Sequence, residues 1–77
     1  MDAKQLRASR LAAGISATML AARAQCDRAR LSHIENGYVQ PTGREIDHLH
    51  EVLNKLIDAK RRVAAAAVEY GWPVSAI

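Results

Sequence analysis

The segment Ser16-Ala-Thr-Met-Leu-Ala-Ala-Arg-Ala-Gln-Cys-Asp-Arg-Ala-Arg-Leu-Ser-His-Ile-Glu-Asn-Gly37 carries two helix starts and two helix stops in quick succession. Ser16 is a favourable N-cap, and Ile15 before it can pack on Leu20 as a hydrophobic staple. Gln25-Cys26-Asp27 interrupts that helix, and Asp27 is itself a strong N-cap with Cys26 placed to staple against Leu31. The second helix is expected over about Arg28 to Glu35 and stops at the turn dipeptide Asn36-Gly37. The segment therefore reads as two short helices joined by a tight turn.

Toward the N-terminus, Asp2 caps a first helix, with Gln5 as its reciprocal partner. Leu6, supported by Ala3, Leu11, Ala12 and Ala13, supplies its apolar stripe, and Gly14 sits where a helix ends in a left-handed residue. Toward the C-terminus, Tyr38-Val39-Gln40-Pro41 reads as a connection, and Thr42-Gly43-Arg44-Glu45 is a full capping box. From there Ile46, Leu49, Leu53, Leu56, Val63, Ala67 and Tyr70 follow alternating steps of three and four, with Lys60 in the one polar slot. That repeat suits a helix lying along another helix. Asn54 could end this helix, with Asp58 capping a fifth. Alternatively one helix of roughly 40 Å runs from Arg44 to Tyr70. The absence of Gly and Pro over residues 55–60 and the unbroken phase favour the continuous form. Gly71 and Pro73 end it. With no strand pattern present, the fold class is all-α: a single domain, with a core over residues 1–54 and a C-terminal helix and tail over residues 55–77.

The chain has 77 residues, near the lower limit at which one apolar core stabilises a fold unaided. It lacks Phe, so the core is expected to consist of Leu, Ile, Val and Met between closely approaching helices. The net charge is +3, and Lys4, Arg7, Arg10, Arg23, Arg28 and Arg30 place six of the eleven basic residues in the first thirty positions. Such clustering suits a polyanion partner better than the total charge does. A lone cysteine excludes an internal disulfide. There is neither a membrane-length apolar run nor a signal-type N-terminus, so a cytoplasmic location is expected.

On a helical wheel taken from Arg28, the residues Ala29, Ser32, His33 and Asn36 share with it one contiguous arc of about 140°. Leu31 and Ile34 lie on the opposite side. An apolar side anchors such a helix, while the arc offers donors, acceptors and a methyl group of the kinds that meet base edges in a major groove. Arg30, beside the arc, is better placed for a phosphate. A solvated face is the plain alternative for any amphipathic helix; here the face belongs to the second of two helices joined by a tight turn. His48 and His50 lie on different sides of their helix, and Cys26 has no nearby base and reads as a small buried residue. No metal, cofactor or catalytic chemistry is expected.

The chain resembles the lambda repressor/Cro superfamily of helix-turn-helix proteins, the XRE family. The resemblance runs from about Leu6 to Leu53. It is carried by Leu6-Arg7, Arg10, Gly14-Ile15-Ser16, Leu20-Ala21, the run Leu31-Ser32-His33-Ile34-Glu35-Asn36-Gly37, and Pro41. It implies a domain of four to five helices whose third enters the major groove of double-stranded DNA, normally as a dimer on a two-fold operator. By that resemblance Arg28, Ala29, Ser32 and His33 read bases. Ser16, Thr18, Asn36, Tyr38, Gln40, Thr42 and Arg44 join Arg30 as phosphate contacts. Arg10 and Glu35 form a structural ion pair. Ala17 stands where many members have a Gln that bonds a phosphate, so that contact is absent or replaced by Thr18. Gln25 occupies a turn position usually held by Gly.

The long C-terminal segment either folds back onto the core or presents Leu49, Leu53, Leu56, Ile57, Val63, Ala67, Tyr70 and Trp72 as a homodimer interface. The function expected is sequence-specific transcriptional regulation, most simply repression. An antitoxin that autoregulates its promoter and clamps a toxin, or a protein-binding adaptor that has lost DNA binding, are the alternatives.

Overall fold

The computed structural model describes residues 2–69, with side chains through Ala66. Four helices follow one another: α1 (Ala3–Ala12), α2 (Ala17–Ala24), α3 (Arg28–Glu35) and α4 (Gly43–Glu69). Each start has the expected chemistry. Asp2 and Gln5 exchange side-chain and backbone hydrogen bonds at α1, at 2.8 and 3.1 Å. The Ser16 hydroxyl accepts from Met19 N at α2, and the Asp27 carboxylate accepts from Arg30 N at α3. At α4 the Thr42 hydroxyl accepts from Glu45 N while Thr42 N donates to the Glu45 carboxylate. These bonds satisfy amides that the first helical turn leaves without partners.

The turns also need particular backbone conformations. Gly14 has φ 69° and Gly37 φ 80°, and Gln25 adopts φ 55° and ψ 40° in the tight turn between α2 and α3. A side chain at that left-handed position costs on the order of 1 kcal/mol relative to glycine. Cys26 N closes the turn by donating to Ala21 O at 2.9 Å.

The core consists of Leu6, Ile15, Leu20, Ala21, Ala24, Leu31, Ile34, Leu49 and Leu53, drawn from all four helices and the α1–α2 turn. The staple pairs lie in or against this cluster: Ile15 and Leu20 are buried, and Cys26 is half-buried beside fully buried Leu31. Some expectations change. Met19 and Leu11 are about half exposed, so among the described residues Leu, Ile and small Ala fill the core and Met19 does not. Cys26 is only partly covered, and burial together with the nearby Glu45 carboxylate pushes its thiol pKa up.

Helix α4 is continuous across Asn54 and Asp58 for 27 residues, and no fifth helix occurs among the described residues. It packs against both α1 and α2 and ties down their C-terminal ends. Lys60 Nζ donates to Ala13 O, at the C-cap of α1, at 2.7 Å, and the His48 ring nitrogen Nε2 bonds Ala24 O at 3.0 Å. A cation at a helix C-terminus meets the carbonyls that lack intrahelical donors. Lys60 is thus an internal cap, separate from the solvated charges Arg61 and Arg62 that follow it.

The same geometry corrects the expected interface. Leu49 and Leu53 are fully buried within the chain's own core and have no surface left for a partner. Leu56 and Ile57 are half-buried against that core, whereas Val63, one turn past Lys60, is half exposed. The repeat is continuous in sequence but its burial fades along α4, because the three short helices end before the long one does. The Ala67 side chain, Tyr70 and Trp72 lie outside the described residues. No helix among the described residues is long and apolar enough to cross a membrane.

Candidate nucleic-acid interface

Helix α3 is held by its inner side. Leu31 and Ile34 are completely buried, and Arg28, Ala29, Ser32, His33 and Asn36 all remain exposed on the outer side. Its end is closed by Gly37 N donating to Ile34 O at 3.1 Å and Tyr38 N donating to His33 O at 2.8 Å. The left-handed Gly37 makes that closure possible.

Beside α3 runs an open trough whose walls come from α1, the first residue of α2 and α3 itself. The four residues assigned to base reading, Arg28, Ala29, Ser32 and His33, all line it. Arg10 and Glu35, also in its lining, are locked together: Arg10 Nε and Nη2 donate to the two Glu35 carboxylate oxygens at 2.9 and 2.8 Å. Arg10 Nη1 donates to Ile15 O at 2.9 Å, so one guanidinium joins α1, the following turn and α3. The expected structural role of the pair is what the geometry displays.

Within the trough the side chains are ordered by their neighbours. Asn36 Nδ2 donates to Ser32 Oγ at 3.3 Å, and the rings of His33 and Tyr38 meet edge to face with centroids 6.1 Å apart. Tyr38 is 78% exposed, so it steadies His33 while its hydroxyl stays open to solvent. The Ser16 and Thr42 hydroxyls accept from backbone amides and keep their own O–H free to donate to an anion. Thr18, Gln40 and Arg44 are exposed, and Arg44 has no ion pair among the described residues.

Arg30, expected at a phosphate, has a partner within the chain. Its Nε and Nη2 donate to the two carboxylate oxygens of Glu45 in the first turn of α4, the Nη2 bond being 2.8 Å. The hydrogen bonds from Arg30 hold the Glu45 carboxyl below its usual range and raise the Arg30 guanidinium further. Arg30 therefore ties α3 to α4 and does not line the trough. Arg7 does line it. In the sequence Arg7 counts only toward the family resemblance and the basic cluster and is assigned no contact, although its place three residues before Arg10 sets both on one side of α1.

A family model described as a helix-turn-helix domain matches residues 3–55, which include α1, α2, α3 and the first part of α4. No curated protein and no solved structure matches the chain.

Proposed function

We propose that this chain, which belongs to the helix-turn-helix domain family, is a sequence-specific transcriptional regulator that occupies an operator in double-stranded DNA, most simply as a repressor. It acts by binding and converts no substrate. The observation that carries the reading is the outer side of α3, where Arg28, Ala29, Ser32 and His33 stand together on a helix whose other side is locked into the core. In a major groove Arg28 can bond a guanine bidentately, His33 and Ser32 can meet base edges, and the Ala29 methyl can touch a thymine methyl. Asn36, Tyr38, Gln40, Thr42 and Arg44 follow α3 in the chain and suit the flanking phosphates.

The distal part of α4 supports a homodimer. Beyond Lys60 the helix leaves the body of the domain with Val63 half exposed, and a second copy would cover this side. Leu56 and Ile57 adjoin that surface, whereas Leu49 and Leu53 take no part. A two-fold dimer would set the recognition helices about 34 Å apart, one turn of duplex. The same surface suits a different protein, such as a toxin; a chain that is monomeric alone but captured by such a partner would favour the antitoxin reading.

Selection of duplexes from a random pool tests the proposal. Enrichment of a motif with two related half-sites is the expected result. Binding without any sequence enrichment would sink the claim of specificity, and no binding would leave the adaptor reading.

A further inference from the structure

The trough beside α3 contains three arginines, and the ion-pair geometry divides them. Arg10 is neutralised by Glu35, so that pair contributes no surplus charge. The surplus comes from Arg7 on α1 and Arg28 at the first position of α3, both exposed and without an ion pair among the described residues. Arg7 also lines a second hollow with Lys4, Asn36 and Gly37, so it borders two concave surfaces beside the end of α3. Ala17, at the start of α2, adds only a methyl group to the lining of the trough.

We propose that Arg7 is a nucleic-acid contact, taking a backbone phosphate at the rim of the trough across from Arg28. This rests on the DNA-binding reading above. Arg7 belongs to a helix that flanks α3, which puts it beside a groove occupied by α3 and within the reach of the strand that borders it. Its planar fork of donors matches phosphate oxygens, and Glu35, the one carboxylate in the lining, is already saturated by Arg10. The polyanion is then held from α1 as well as from the loop after α3, and Arg7 does for affinity what Arg30, tied to Glu45, does not.

The test measures binding of the full chain to two duplexes, one selected from a random pool and one of random sequence, over a series of salt concentrations. Arg7→Gln should lower the slope of log affinity against log salt by about 0.9, the value of one phosphate contact. The loss should be equal on both duplexes, and Arg7→Lys should keep the slope. Arg23→Gln, on α2 facing the groove toward α4, should leave it unchanged. An unaltered slope for Arg7→Gln in a chain that binds well would overturn this contact alone. A loss confined to the selected duplex would also overturn it, by making Arg7 a base reader. Failure of the unmodified chain to bind either duplex would overturn this contact and the DNA-binding reading together.

Discussion

Arg10 and Glu35, 25 residues apart, meet through two parallel hydrogen bonds of 2.9 and 2.8 Å, with side chains only 9% and 4% exposed. The bond from Arg10 to Ile15 O extends the contact to the α1–α2 turn. The pair fixes α3 against α1 beside the exposed side of α3, so the orientation of that side depends on it.

Breaking this pair from one side should be severe. Glu35→Gln leaves a buried guanidinium without its counter-charge, which costs about 3–5 kcal/mol. In so small a domain that is a large part of the total stability. Urea unfolding should show a collapse of the midpoint, while Arg10→Met combined with Glu35→Leu recovers much of it. A mild effect of Glu35→Gln alone would mean that the pair is far better hydrated than its burial indicates.

Arg28 and Arg44 should fail differently. Arg28→Ala is expected to cost about 1–3 kcal/mol and to relax preference at one base pair, whereas Arg44→Ala weakens all sequences alike. Parallel titrations with selected and random duplexes separate the two. Equal losses for Arg28→Ala on both would remove it from the base-reading set.

The Arg30–Glu45 pair gives stability a dependence on pH. The folded-state pKa of Glu45 lies below its value in the unfolded chain, so unfolding takes up a proton in acid. The contribution is complete above the unfolded value near 4.5 and fades as pH falls through the lowered folded value. Glu45→Gln keeps a capping-box side chain but deletes the charge. It should be slightly less stable than the parent at neutral pH, and the gap should close as unfolding is measured at successively lower pH. The released Arg30 should also strengthen binding to random duplex.

Gln25→Gly should stabilise the domain by about 0.5–1 kcal/mol, because the left-handed turn no longer has to accommodate a β-carbon. The gain is smaller than the strain relieved, since glycine also enlarges the freedom of the unfolded chain. Thermal unfolding of the two chains measures the difference, and a loss would show that the Gln25 side chain holds the turn in some other way.

If α4 joins two copies, Val63→Asp should place charges of like sign in the contact and shift the equilibrium toward monomer. Sedimentation over a range of concentrations reads this directly. A parent chain that stays monomeric at tens of micromolar would remove the homodimer from the proposal.

The boundaries of the short helices were legible in the sequence because their signals are local. A cap and its amide lie three residues apart, and Gly14 and the Asn36-Gly37 dipeptide mark their own turns, whereas the left-handed turn position at Gln25 was indicated only by the family resemblance. The outer arc of α3 was legible for the same reason, since helical geometry alone groups Arg28, Ala29, Ser32 and His33. The Arg10–Glu35 pair could be anticipated only through a family resemblance, as its members are joined by tertiary docking.

Which arginines are free was decided by the tertiary structure. Helical geometry sets Arg30 beside the arc that Arg28 begins, but nothing local shows that Glu45, 15 residues away, pairs with Arg30 or that Arg7 faces the trough. The repeat along α4 likewise marks one apolar face without saying where its cover ends. Leu49 and Leu53 vanish into the core and Val63 does not, because the shorter helices cover only part of α4 and Lys60, reaching 47 residues back to Ala13, marks where their protection ends. Local chemistry therefore set the helices and the face that α3 can offer, while the docking of those helices set which charges and apolar groups remain available to a partner.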